Sequence, residues 1–216
     1  MRRILSLEQA VALAFCALLG YALGCLPFAV IVSRCMGLQD PRQYGSGNPG
    51  ATNVLRTGNK KAALLTLLGD ALKGVAAIVL VRVFANQLGL QPEQLLLAAV
   101  VAGAAAFVGH VFPATLGFRG GKGVATAAGV LLALDWRLGA VSLAVWLSVA
   151  FVTRYSSLAG MVAAMVSPVV AWFLFEDRLV PVVLLVMALV LVWRHSENIR
   201  RLRAGTEGRI GGKKAG

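Results

Sequence analysis

Apolar stretches separated by short polar interruptions dominate the chain from end to end. Seven of them, rich in Ala, Val and Leu, cover residues 10–32, 62–84, 94–112, 124–134, 138–152, 158–175 and 179–193. Roughly 20 apolar residues in a helix cross the hydrocarbon core of a bilayer. The first three runs meet that length, the last three approach it, and 124–134 is short. The pattern predicts an all-α fold, an integral membrane helical bundle of about seven transmembrane helices. Pro27 predicts a kink in the first span, because proline removes a backbone donor. Met1-Arg2-Arg3 before an apolar run resembles a signal peptide, and Ala22-Leu23-Gly24-Cys25 hints at a cleavage site. The run continues past it through Val32, so the segment is expected to stay as the first span.

The cations test the order of the loops, since Lys and Arg concentrate on the cytoplasmic side. With the N-terminus outside, Arg34, Arg42, Arg56, Lys60, Lys61, Arg119, Lys122 and Arg154 fall inside. The tail adds Arg194, Arg200, Arg201, Arg203, Arg209, Lys213 and Lys214, which makes 15 of the 21 Lys and Arg. Arg2, Arg3, Arg82, Arg137 and Arg178 fall outside, and Lys73 sits within a span. The bias predicts an external N-terminus and a cytoplasmic C-terminus. It therefore predicts a multi-pass membrane protein whose polar stretches share the cytoplasmic face.

Composition agrees with this reading. The chain has 216 residues, 58% hydrophobic and 14% charged, with a net charge of +12. It is too short for two sizeable domains and is expected to form one membrane domain over 1–216, with a basic tail from about 205. A charge of +12 in a soluble protein would suggest nucleic acid. Here aromatic residues are only 7% and the cations cluster between apolar runs, so membrane orientation explains them and no nucleic-acid partner is expected. Cys16, Cys25 and Cys35 match no zinc spacing and form no even disulfide set. His110 and His195 lie far apart in sequence, so no metal site is expected.

The candidate chemistry lies in the interruptions. Gly117-Phe118-Arg119-Gly120-Gly121-Lys122-Gly123 precedes the short run 124–134. Glycines let a backbone approach a ligand closely, and a helix starting there offers unpaired N–H donors. Lys122 adds a point charge, and Arg119 can grip a phosphate with two parallel hydrogen bonds. A solvent-exposed turn is the plain alternative. The stretch is not a Walker A loop, because Leu116 stands where a glycine is required and Gly123 where a Ser or Thr is required. A second interruption carries Ser46, Asn48, Thr52, Asn53 and Arg56 between two spans, a high density of hydrogen-bonding groups for a loop. A third begins at His195 and Asn198, three apart and so on one helical face, and continues to Glu207. Asp70 and Lys73, also three apart, fall inside the second span and are expected to pair structurally, pointing into the bundle.

Absences narrow the chemistry. Thr115 and Arg200 stand five residues after His110 and His195, so neither histidine has the His-x4-Asp arrangement of many lipid acyltransferases. No Gly-x-Ser-x-Gly elbow is present. With no strong base evident, a transfer reaction here needs a donor with a good leaving group.

These stretches, GSGNPGATNVLR, GHVFPATLGFRGGKGVAT and HSENIRRLRAGTE, together with LLGDALKG, resemble the motifs of the PlsY family in the family's order. That family comprises bacterial acyl-phosphate:glycerol-3-phosphate acyltransferases. The resemblance implies acyl transfer from acyl phosphate to the 1-hydroxyl of glycerol 3-phosphate, yielding lysophosphatidic acid and phosphate, the first acylation of phospholipid biosynthesis. It implies that Ser46, Arg56, His195 and Asn198 are needed for activity, that Gly120, Gly121 and Gly123 belong to glycerol-3-phosphate binding, and that Glu207 is structural. Lys122, Arg56 and Arg119 are expected on phosphates, and Asn48, Thr52 and Asn53 on substrate. Ser46 is expected to hydrogen-bond rather than attack. No cofactor is implied, and the soluble synthase that supplies acyl phosphate is the implied partner. A transporter of a small organophosphate is the rival reading, since a cation-rich loop in a seven-span bundle suits both.

Overall fold

The structure is a computed structural model that describes residues 6–211. Arg2, Arg3, Lys213 and Lys214, used in the charge count, lie outside the described residues. Among those residues every regular element is helical. Two compact units divide the chain, one ending at Leu134 and the other beginning at Asp135.

The first unit opens with α1 (Leu7–Gly24), whose N-terminus is closed by a reciprocal pair: Ser6 Oγ accepts from Gln9 N, and Gln9 Oε1 from Ser6 N. The helix breaks before Pro27 and resumes as α2 (Phe28–Cys35), so the expected interruption of the first span is present. A four-residue α3 (Ala51–Val54) runs into a 3₁₀ turn, and Asn59 then caps α4 (Lys60–Val83) through Ala62 N. Next come α5 (Leu95–Val111) and α6 (Val124–Leu134).

Helix α1 packs along α5, and α4 along α6. The first contact depends on small residues. A Cβ on Gly20 or Gly24 would overlap the carbonyls of Ala102 and Ala106 on α5. Spaced four apart, the two glycines form one flat stripe on α1, the close-approach device of helices in lipid. The C-terminus of α6 is closed by Arg82, whose guanidinium donates to the carbonyls of Ala133 and Leu134 at 2.6 and 3.1 Å.

In the second unit Asp135 caps α7 (Trp136–Thr153), which packs against α8 (Ser156–Leu174); α8 in turn packs against α9 (Leu179–Arg194). A 57° bend at His195 leads into α10 (Ser196–Arg203). Large apolar side chains stand bare on the outside, Phe151 at 88% and Phe173 at 82% exposure. Such surfaces suit lipid and would be a liability in water.

All seven predicted apolar segments are helices. Five spans are long and apolar enough to cross a membrane: Leu7–Cys35, Lys60–Val83, Pro92–Leu116, Trp136–Thr153 and Ser156–Leu174. Helices α9 and α10 together count as a sixth. Helix α6 has 11 residues, about 16 Å at the usual rise, against the roughly 30 Å hydrocarbon core.

Candidate active site

The loop before α4 is organised by one buried amide. Asn53 donates to the carbonyls of Pro41 and Tyr44 at 2.7 and 3.2 Å, and its Oδ1 accepts from Ser46 N at 3.0 Å. Both of its donors are thus spent on the loop, and Asn53 positions Ser46 rather than reaching outward. Gly45 takes a left-handed φ of 60°, and a side chain there would overlap Asn53 and crowd Arg56. Ser46, Thr52 and Arg56 are exposed, and Asn48 is half-buried.

The glycine loop folds back on the end of α5. Gly120 N donates to Val111 O at 3.2 Å and Gly121 N to His110 O at 3.1 Å. These two amides are committed to protein carbonyls. The backbone donors that geometry still provides come from the opening turn of α6. Packing explains the glycines instead. A Cβ on Gly121 would overlap Nε2 of His110, one on Gly120 the His110 carbonyl, and one on Gly123 the ring of Phe107. Arg119 is exposed and Lys122 half-buried. Two further bonds tie this connection to the end of α1: Thr115 Oγ1 to Cys25 O at 2.6 Å, and Tyr21 OH to Phe112 O at 2.9 Å.

Beneath the loop lies a group of charges. Asp70 Oδ1 is 2.9 Å from Lys73 Nζ and 3.3 Å from His110 Nδ1. Lys73 Nζ also donates to Leu26 O at 2.9 Å. The expected inward-pointing Asp70–Lys73 pair is present, and it includes His110, which sequence spacing did not connect to any carboxylate. Its partner comes from a neighbouring helix, not from the same stretch of chain. Facing a carboxylate, Nδ1 carries the hydrogen, so in the neutral ring Nε2 is the acceptor. A small cleft opens here, lined by Asp70, Lys73, His110, Gly120 and Gly121, with Pro49 from the first loop and residues 24–27 from the break after α1. Ser46, Asn48, Thr52, Asn53, Arg56, Arg119, Lys122 and Gly123 do not line it.

The third motif belongs to the second unit. His195 is buried at the bend, its Nδ1 donating to Leu191 O at 2.8 Å, which makes Nε2 the acceptor of the neutral ring. Asn198, also buried, donates to Oε1 of Glu207 at 2.6 Å. Ser157 Oγ donates to the same oxygen at 2.6 Å, and Arg201 Nε to Oε2 at 2.7 Å. Burial alone would raise the Glu207 carboxyl. Hydrogen bonds from Ser157, Asn198 and Arg201, with the charge of Arg201, outweigh it and hold the group below the ordinary carboxylate value. The segment after Glu207 is fastened too: Ile210 N donates to Arg154 O at 2.7 Å, and the Arg154 guanidinium returns to Ile210 O. Ser157 was not singled out in the sequence, because a lone serine at the start of an apolar run carries no signal.

Fold and site together define a multi-pass helical membrane protein with a glycine-bordered cleft over a buried Asp70–Lys73–His110 group. The sequence profile of the glycerol-3-phosphate acyltransferase family matches residues 14–205. The chain therefore belongs to that family, in its PlsY form. It is 57% identical to a glycerol-3-phosphate acyltransferase of Laribacter hongkongensis (strain HLHK9) over 196 residues, 91% of this chain and 95% of the relative. A glycerol-3-phosphate acyltransferase of Paraburkholderia xenovorans (strain LB400) is 54% identical over 198 residues, 92% and 91% of the two chains. The crystal structure of PlsY, an integral membrane glycerol 3-phosphate acyltransferase, is similar in its glycerol 3-phosphate form at a TM-score of 0.80 and 34% identity, covering 92% of this chain and 96% of that one. Its lysophosphatidic acid form gives 0.78 and 34%, covering 91% and 94%.

Proposed function

We propose that the protein transfers a fatty acyl group from acyl phosphate to the 1-hydroxyl of glycerol 3-phosphate. The products are 1-acyl-glycerol 3-phosphate (lysophosphatidic acid) and inorganic phosphate, so the reaction is the first acylation of phospholipid synthesis. The observation that carries this reading is the cleft bordered by Gly120 and Gly121, which Arg119 and Lys122 flank in the sequence, in a chain of this family. Glycerol 3-phosphate and lysophosphatidic acid both name forms of the solved relative, which supports the acceptor and the product.

In the reaction the hydroxyl oxygen bonds to the acyl carbon, the bond from that carbon to the phosphate oxygen breaks, and a substrate phosphate takes the hydroxyl proton. Acyl phosphate is an activated anhydride, so positioning supplies much of the rate. Arg56, Arg119 and Lys122 hold phosphate and stabilise the charge that develops on the carbonyl oxygen. Ser46, Asn48 and Thr52 give hydrogen bonds to substrate, and the family likeness makes His195 and Asn198 of the third motif necessary for activity. Glu207 keeps Asn198 in place. The acyl chain lies between helices, continuous with the bilayer. The charge bias supports a bacterial cytoplasmic membrane location with the motifs facing the cytoplasm, where a soluble synthase supplies the donor.

Purified protein assayed with acyl phosphate and separately with acyl-CoA tests the reading. Stoichiometric phosphate and lysophosphatidic acid from acyl phosphate alone are expected. Turnover with acyl-CoA only would overturn the donor. Labelled glycerol 3-phosphate carried across vesicles without acylation would establish a transporter instead.

A further inference from the structure

We infer that His110, held by Asp70 in its ion pair with Lys73, is a positioning residue that fixes the glycine loop. The inference rests on the reading of that loop as the glycerol-3-phosphate site.

A pair serving only to neutralise buried charge needs no more than Asp70 and Lys73, which sit three apart on α4 and cross-link nothing. The observed contacts reach further in both directions. Lys73 Nζ extends to the carbonyl of Leu26, at the break between α1 and α2. Asp70 extends to His110 on α5, and the ring of His110 bears directly on Gly121. Leu26, Lys73, Asp70, His110 and Gly121 thus form one continuous strut through the first unit. The same end of α5 holds the loop twice more, through the carbonyls of Val111 and His110. Phe107, one turn back on α5, supports Gly123. Lys122 lies between these two bedded glycines, so its backbone follows the surface of α5.

The orientation of the ring matters for this role. Nδ1 is directed at Asp70, which leaves the Nε2 edge as the surface on which the loop rests. Gly121 has no side chain because that edge already fills the volume. A flipped or shortened ring removes the support without removing Lys122. The effect therefore falls on the place of the phosphate-binding loop and is read mainly in KM for glycerol 3-phosphate.

Three variants test the strut: His110→Asn, which keeps a donor towards Asp70 but lacks the Nε2 edge; Gly121→Ala; and the two combined. Each single substitution is expected to raise KM for glycerol 3-phosphate by about tenfold, with kcat changed by less than about threefold. The double variant should show less than the product of the single effects, because shortening residue 110 makes room for the added methyl. Hydrogen exchange of the peptide 117–123 should accelerate in His110→Asn, while the helices keep their protection. That readout does not require turnover, so it stands even if the donor or the reaction is other than proposed. Should His110→Asn fail to fold, Asp70→Leu with Lys73→Met removes both charges together, avoids an unpaired ion and takes away the acceptor that holds the ring. Unchanged KM and unchanged exchange in the folded variant, or strictly multiplicative single effects, would overturn the inference.

Discussion

His110 and Gly121 compete for one volume: Nε2 of the histidine lies where a Cβ on residue 121 would be. The imidazole is fixed from behind by Asp70, so it has little freedom to withdraw. Gly121→Ala is therefore expected to displace the loop. KM for glycerol 3-phosphate should rise by about tenfold, equivalent to ~1.4 kcal/mol, with maximal rate less affected. Steady-state kinetics with glycerol 3-phosphate varied checks this, and a lowered maximal rate at unaltered KM would contradict it.

Charge and shape separate at Lys122 and Arg56. Lys122→Ala should lower kcat by roughly 10²–10³, the loss typical of a missing electrostatic stabiliser. Arg56→Lys keeps the charge and discards the planar fork, so a large loss there would indicate two-pronged phosphate recognition. Kinetics of both variants with acyl phosphate in detergent or lipid provide the check. Near-normal activity in Lys122→Ala would reduce the glycine loop to a turn.

Glu207 gives the second unit a pH dependence of definite sign. Its carboxyl lies below its ordinary value, so the folded state holds it ionised more firmly than the unfolded state does. The resulting stabilisation is fully present above the unfolded value, about 4.3, and disappears as pH falls through the lower folded value. Glu207→Gln should lower stability by about 1–3 kcal/mol near neutral pH, since Arg201 loses its anion and one of the donors loses its acceptor. Thermal unfolding from pH 7 downwards should show the wild-type advantage shrinking at acid pH. A difference that stays constant with pH would rule out the ionised carboxylate as its source.

Topology can be read by labelling. Single cysteines replacing the exposed Ser46, Phe118 and Ser196 should react with an impermeant maleimide only after the cytoplasmic side is opened. The background needs Cys35 removed, because it is exposed, whereas Cys16 and Cys25 are buried. Reaction of any of the three in intact cells would reverse the proposed orientation.

Helical content, the seven apolar segments and the three polar stretches were legible in the sequence. Membrane helices are long local patterns, and each satisfies its own backbone, so hydropathy reports them without knowledge of neighbours. The pairing of Asp70 with Lys73 was legible for the same reason, as one helical turn joins them. The attachment of His110 to that pair was not, because α4 and α5 must first pack before the imidazole meets the carboxylate. Glu207 shows the same divide: its contact with Ser157 exists only once the tail folds back across the start of α8. The glycines mark the limit most clearly. A sequence states that residues 120 and 121 lack side chains, and that reads equally as room for an anion or room for a neighbour. Only the packed end of α5 decided that their amides bond to Val111 and His110, because volume and hydrogen-bond partners are settled where separate helices meet.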